Sequence, residues 1–124
     1  MLDFSFYDPP IEVAASSPRL EMIVSRLKSA GLRPYTAPPA IDFSAADPLL
    51  IDMDSAAPET LDRLSRAAMI GNVPRQIVLL NTSGRAAPRI EGALHLRLEK
   101  DLSTLRSRLA ALARRASRLR EAAI

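Results

Sequence analysis

At 124 residues and 48% apolar, the chain has the length of one ordinary domain and can bury a real core. It has no cysteine and a single histidine, His95, which excludes disulfides, a thiolate zinc site and a cysteine nucleophile, and argues against a His-rich metal centre or a Ser-His-Asp triad. The formal charge of +3 is carried almost wholly by arginines, and 4% aromatics with no tryptophan offer no stacking platform, so nucleic acid is not the expected partner.

Residues 1–10 carry Phe4, Phe6, Tyr7 and Pro9-Pro10, an N-terminal arm too short for a domain and too rich in proline for a helix. Residues 11–15 read as a first strand. Ser16-Ser17-Pro18 then starts a helix over 18–30, where Ser17 is expected to cap an orphan N–H, Leu20, Ile23, Val24 and Leu27 share one face, and Gly31 ends it. Residues 33–37 form a second strand, placed at the sheet edge by Pro34. The prolines at 38 and 39 leave room for only a truncated or irregular second helix.

Asp47-Pro48-Leu49-Leu50-Ile51-Asp52-Met53-Asp54 is a short apolar run closed by carboxylates. This is the pattern of a fully buried parallel strand that delivers acidic side chains to the carboxyl edge of a sheet. A helix over 59–70 follows, with Leu61, Leu64, Ala68 and Met69 on its apolar face, and Gly71-Asn72 closing it. Residues 75–80 read as a fourth strand, and Pro88 shortens the crossover after it. Residues 93–98 alternate Leu94, Leu96 and Leu98 against His95 and Arg97, giving a fifth strand.

Along the last segment Leu102, Leu105, Leu109, Leu112, Ala116, Leu119 and Ala123 recur in steps of three and four, an unbroken heptad seam. Its first two turns suit the sheet. The remainder overhangs a domain of this size, so Leu105, Leu109, Leu112, Ala116, Leu119 and Ala123 are expected to form a dimer helix, with residues 113–124 as a coiled-coil connector. No stretch is long and apolar enough for a leader or a membrane span, and a cytoplasmic protein without membrane contact is expected.

Strands and helices alternating in this order specify an α/β fold: a flavodoxin-like, doubly wound, five-stranded parallel sheet of order 2-1-3-4-5, with shortened second and fourth helices and an extended C-terminal helix. From residue 11 to about residue 112 the pattern resembles the receiver domains of bacterial two-component response regulators. The resemblance puts Asp52, at the end of Leu49-Leu50-Ile51-Asp52, at the phosphoryl-acceptor position.

The rest of the family's site does not follow. Ala15-Ser16 stand where receivers keep an acidic pair for Mg²⁺, and two neutral residues do not replace two carboxylates for a hard cation. Glu99 falls at the lysine position, with Lys100 one residue late, and either Asn81 or Thr82 matches the hydroxyl position. The resemblance therefore implies a degenerate pseudo-receiver, with Asp52 vestigial, no metal, no cofactor and no enzymatic activity.

The expected function is a regulatory and dimerisation module of signal transduction. It would relay to an output domain of diguanylate cyclase or histidine kinase type through its last helix. An alternative is a sensor for a cyclic dinucleotide, cyclic di-GMP, gripped by Arg85 and Arg89 on a loop at the carboxyl ends of the strands, with Arg33 and Tyr35 adding a guanidinium and a ring. A receiver that still accepts phosphate at Asp52 ranks last.

Overall fold

A computed structural model describes residues 8–71, 73–82, 87–90, 92–97 and 102–112. Eight elements follow one another: β1 (Pro10–Ala14), α1 (Arg19–Ser29), β2 (Arg33–Thr36), β3 (Leu49–Asp52), α2 (Pro58–Met69), β4 (Ile77–Leu80), β5 (Leu94–Leu96) and α3, a 3-10 turn at Leu102–Thr104 that continues as α-helix over 105–112. The strands form one parallel sheet in the order β2-β1-β3-β4-β5, the doubly wound α/β fold that the alternation of elements implies.

Each strand shows its two faces to a different layer, because side chains alternate along it. Ile11, Val13, Leu50, Val78, Leu80 and Leu96 meet Ile23 and Leu27 of α1 and Leu102, Leu105 and Leu109 of α3. On the opposite face, Ala14, Leu49, Ile51, Ile77 and Leu79 meet Leu64 of α2 and Ile41 of the β2–β3 connection. β3 and β4, covered on both sides, are buried at all four of their positions. Their Leu-Leu-Ile-Asp and Ile-Val-Leu-Leu sequences show no polar alternation for that reason.

The edge position of β2 is real, and its proline is placed to suit it. Arg33 and Ala37 donate to the carbonyls of Pro9 and Val13, so the nitrogen of Pro34 falls on the outward side, where no ladder bond is lost. Gly31 closes α1 in the left-handed region at φ 82°, and the Arg106 side chain lies over it.

Two connections are thinner than the plan calls for. Residues 37–48 contain no helix, and residues 87–90, the described part of the β4–β5 crossover, are also irregular. The first gap is closed by a buried ion pair. Arg75, 4% exposed, meets Glu12, 6% exposed, at 2.5 Å. It also donates to the carbonyls of Asp42 (2.7 Å) and Asp47 (2.5 Å), so one side chain staples the irregular segment to the sheet. Arg63 holds the same segment from α2, through the Ile41 carbonyl at 3.0 Å and over the Phe43 ring at 5.6 Å.

Several expectations are corrected. Ser17 does not cap α1: its hydroxyl donates to Glu21 Oε1 at 2.5 Å, and the helix start carries no side-chain cap. Met69 leaves the apolar face of α2 and is 87% exposed. β5 spans three residues rather than six, and Leu98 lies outside the described residues. Leu105 and Leu109 are buried in the chain's own core, so α3 spends them on the fold, whereas Leu112 is half-buried. Ala116, Leu119 and Ala123 lie outside the described residues, as do Phe4, Phe6 and Tyr7. Among the described residues no helix is long and apolar enough to cross a membrane.

Candidate functional site

The parallel sheet brings the ends of β1, β3 and β4 and the start of α1 to one edge, and the polar side chains there form a network. Asp52, at the end of β3, has a side chain with 0% exposure. Arg19, in the first turn of α1, grips it with both branches of its guanidinium, Nε to Oδ2 at 2.6 Å and Nη2 to Oδ1 at 3.0 Å. The Ser55 hydroxyl donates to Oδ2 at 2.6 Å and the Asp54 N–H to Oδ1 at 3.3 Å. Each oxygen of Asp52 therefore accepts two hydrogen bonds.

Asp54 extends the network to β4. Its Oδ2 accepts from Arg19 Nη2 at 3.2 Å, from the Thr82 N–H at 3.0 Å and from the Thr82 hydroxyl at 2.5 Å. Leu80 is in register with Asp52, Asn81 donates its N–H to the Leu96 carbonyl, and the Thr82 hydroxyl is the one that faces the carboxylates. The end of β1 joins through the Ser16 N–H, which donates to Ser55 Oγ at 3.0 Å.

Arg19 thus faces both carboxylates in a setting only partly open to water, with side-chain exposures of 26% for Arg19 and 11% for Asp54. Its hydrogen bond to Asp52 raises the Arg19 pKa first of all, burial opposes the rise, and the charges of Asp52 and Asp54 add to it. A guanidinium so held is a permanent cation.

This arrangement disfavours the chemistry that the position of Asp52 suggests. An attacking carboxylate needs a free lone pair and a divalent ion beside it, and phosphoryl transfer depends on both. Here the lone pairs are occupied and the neighbouring cation belongs to the protein. No cluster of three or more acidic or histidine side chains able to hold a metal occurs among the described residues. Ala15 packs partly against the α1 side of the core, and Ser16 offers its backbone rather than a carboxylate. Glu99 and Lys100 lie outside the described residues.

Of the residues expected to grip a cyclic dinucleotide, Arg33 and Tyr35 are not brought together with Arg89. Arg33 and Tyr35 stand on the edge strand β2, and the Tyr35 hydroxyl donates to Asp47 Oδ2 at 2.8 Å. Arg89 lies across the sheet, beside Ala68, Gly71, Val73 and Ile90 at the C-terminal end of α2, which is the amino edge of the sheet and not its carboxyl edge. β2 and β4 are three strand spacings apart, roughly 14 Å. Arg85 lies outside the described residues. His95 is an exposed strand residue.

Arg19 is the residue that reading the chain in order missed, and it does leave a signal. A cation in the first turn of a helix opposes the macrodipole at a cost of about 0.3–1 kcal/mol, so such a residue needs an acidic partner elsewhere. Glu12 and Arg75 leave a similar one, being charged positions inside or beside strands that are otherwise buried.

No protein-family model matches this chain, and a comparison with curated proteins finds no match either. The likeness to receiver domains therefore rests on the strand order, the central strand and the position of Asp52.

Proposed function

We propose that the chain is a non-catalytic regulatory module built on the receiver plan, a pseudo-receiver of bacterial signal transduction working in the cytoplasm. Its edge aspartate has become a structural carboxylate, and its output passes through the C-terminal helix to a second copy of the chain and to an output domain of cyclase or kinase type. The observation that carries this reading is the donor shell of Asp52, four hydrogen bonds on a carboxylate with 0% exposure, two of them from Arg19. A group held in this way anchors a loop well and attacks phosphorus poorly.

The test is incubation of the full chain with acetyl phosphate and Mg²⁺, followed by intact mass measurement under neutral and acidic conditions. The expected outcome is no acid-labile adduct. An adduct that maps to Asp52 would overturn the reading.

The cyclic-dinucleotide reading has less support, because Arg89 sits across the sheet from Arg33 and Tyr35. Calorimetry with cyclic di-GMP checks it: binding in the micromolar range that Arg85→Ala and Arg89→Ala abolish would restore it.

A further inference from the structure

The connection from β2 to β3 crosses the sheet without a helix, and its limits are two sheet bonds. The Ala37 N–H donates to the Val13 carbonyl and the Glu12 N–H to the Pro48 carbonyl, both at 2.9 Å. Between them, residues 38–47 make one backbone–backbone hydrogen bond among the described residues, from the Ala45 N–H to the Asp42 carbonyl at 3.5 Å. Pro38 and Pro39 have no N–H to donate. Asp42 Oδ1 accepts from the Ser44 N–H and hydroxyl, at 2.9 and 2.6 Å, inside the segment itself.

The segment is therefore held down by side chains that belong to other elements. Arg63 of α2 reaches the Ile41 carbonyl at 3.0 Å and lies 5.6 Å from the centre of the Phe43 ring. Arg75 takes the Asp42 and Asp47 carbonyls, and Tyr35 of β2 donates to Asp47 Oδ2 at 2.8 Å. Ile41, 3% exposed, is the one fully buried apolar side chain of residues 38–47, and Phe43 is half-buried.

We propose that residues 38–47 are a latched strap, which swings off the α2 side of β1 and β3 as a unit while the sheet and its carboxyl edge stay folded. This conformational device stands apart from the regulatory reading above. Each latch joins a guanidinium or hydroxyl donor to an oxygen of the strap, and water replaces both halves at small net cost. The buried charges are not separated. Glu12 belongs to β1 and Arg75 leads into β4, so their ion pair stays with the sheet. The apolar loss is one isoleucine and part of a phenylalanine, far less than the whole core, so opening lies well below global unfolding in free energy. What it uncovers is apolar: Ala14, Leu49 and Ile51.

The chain has no cysteine, so one introduced thiol reports one position. Ile41→Cys probes the strap and Ile51→Cys the strand beneath it, each variant being checked by its thermal melt. In excess thiol reagent Ile41→Cys should be labelled at least about a hundredfold faster, at a rate flat in low urea, whereas labelling of Ile51→Cys should climb with urea from the start. Adding Leu105→Ala, on the opposite face, should speed Ile51→Cys alone. Adding Arg63→Ala should speed Ile41→Cys about fivefold and Tyr35→Phe about twofold, although Tyr35 holds the far end of the strap at Asp47. Equal rates and equal urea dependence of the two probes would overturn the strap, and a probe that ignores Tyr35→Phe would overturn its opening as a unit. Should Ile41→Cys fail to fold, chymotryptic cleavage of the wild-type chain after Phe43 reads the same motion: a rate flat in low urea supports it, and one that tracks global unfolding refutes it.

Discussion

Replacing Arg19 by alanine is the perturbation most directly tied to the carboxyl edge. It removes two of the four donors on Asp52 and the guanidinium that Asp52 shares with Asp54. Breaking a buried pair from one side costs about 3–5 kcal/mol. The 26% exposure of Arg19 admits some water and places the expected loss at the lower end, about 3 kcal/mol.

For a domain of this length that corresponds to a fall of about 10 °C in Tm. Urea unfolding of the wild type and of Arg19→Ala measures the loss, and an unchanged m-value would assign it to the folded state. In an Asp52→Asn background the same substitution should cost about 1 kcal/mol, a coupling of about 2 kcal/mol. Arg19→Lys should recover only part of the loss, because an ammonium cannot grip both oxygens in one plane. A loss below about 0.5 kcal/mol with no coupling to Asp52 would refute the view that Arg19 locks this edge.

The buried staple on the other face gives a second expectation. Arg75→Ala should cost about 4 kcal/mol in urea unfolding, because Glu12 stays buried without its cation, and adding Glu12→Leu should return about half of that. Tyr35 gives a pH dependence. Burial raises its pKa, with the hydrogen bond to Asp47 adding to the rise, so in the folded chain it ionises above its unfolded value of about 10. The stability it contributes is present below about pH 10 and is lost as pH climbs through the folded value. The alkaline fall in stability should accordingly be shallower in Tyr35→Phe, and an ultraviolet titration of the tyrosinate band in Asp47→Asn should shift downward.

How much of this is legible in the residues depends on the range of the force concerned. The core strands are legible because burial on both faces demands unbroken apolar runs, and Leu49-Leu50-Ile51 and Ile77-Val78-Leu79-Leu80 supply them. α1 and α2 are legible from their periodicity, to within one residue at each end. Ser17 shows where local inference fails, since the residue type suits a cap but its hydroxyl finds Glu21 instead. The ligand candidates that the structure describes are separated for a different reason. Arg33, Tyr35 and Arg89 are chemically suited to an anion, but only the strand order determines that β1 and β3 stand between β2 and β4.

The same division holds for Asp52. Its place at the end of a buried central strand follows from the sequence, because hydrophobic pattern and chain order are local properties that a parallel sheet turns into position. Its chemical role does not follow, because the partner that sets it, Arg19, is 33 residues away and meets it only when α1 folds back across the sheet. Composition and periodicity decided which strand carries the carboxylate. The tertiary structure decided that a guanidinium occupies both of its oxygens, since charges far apart in sequence become neighbours only through the fold.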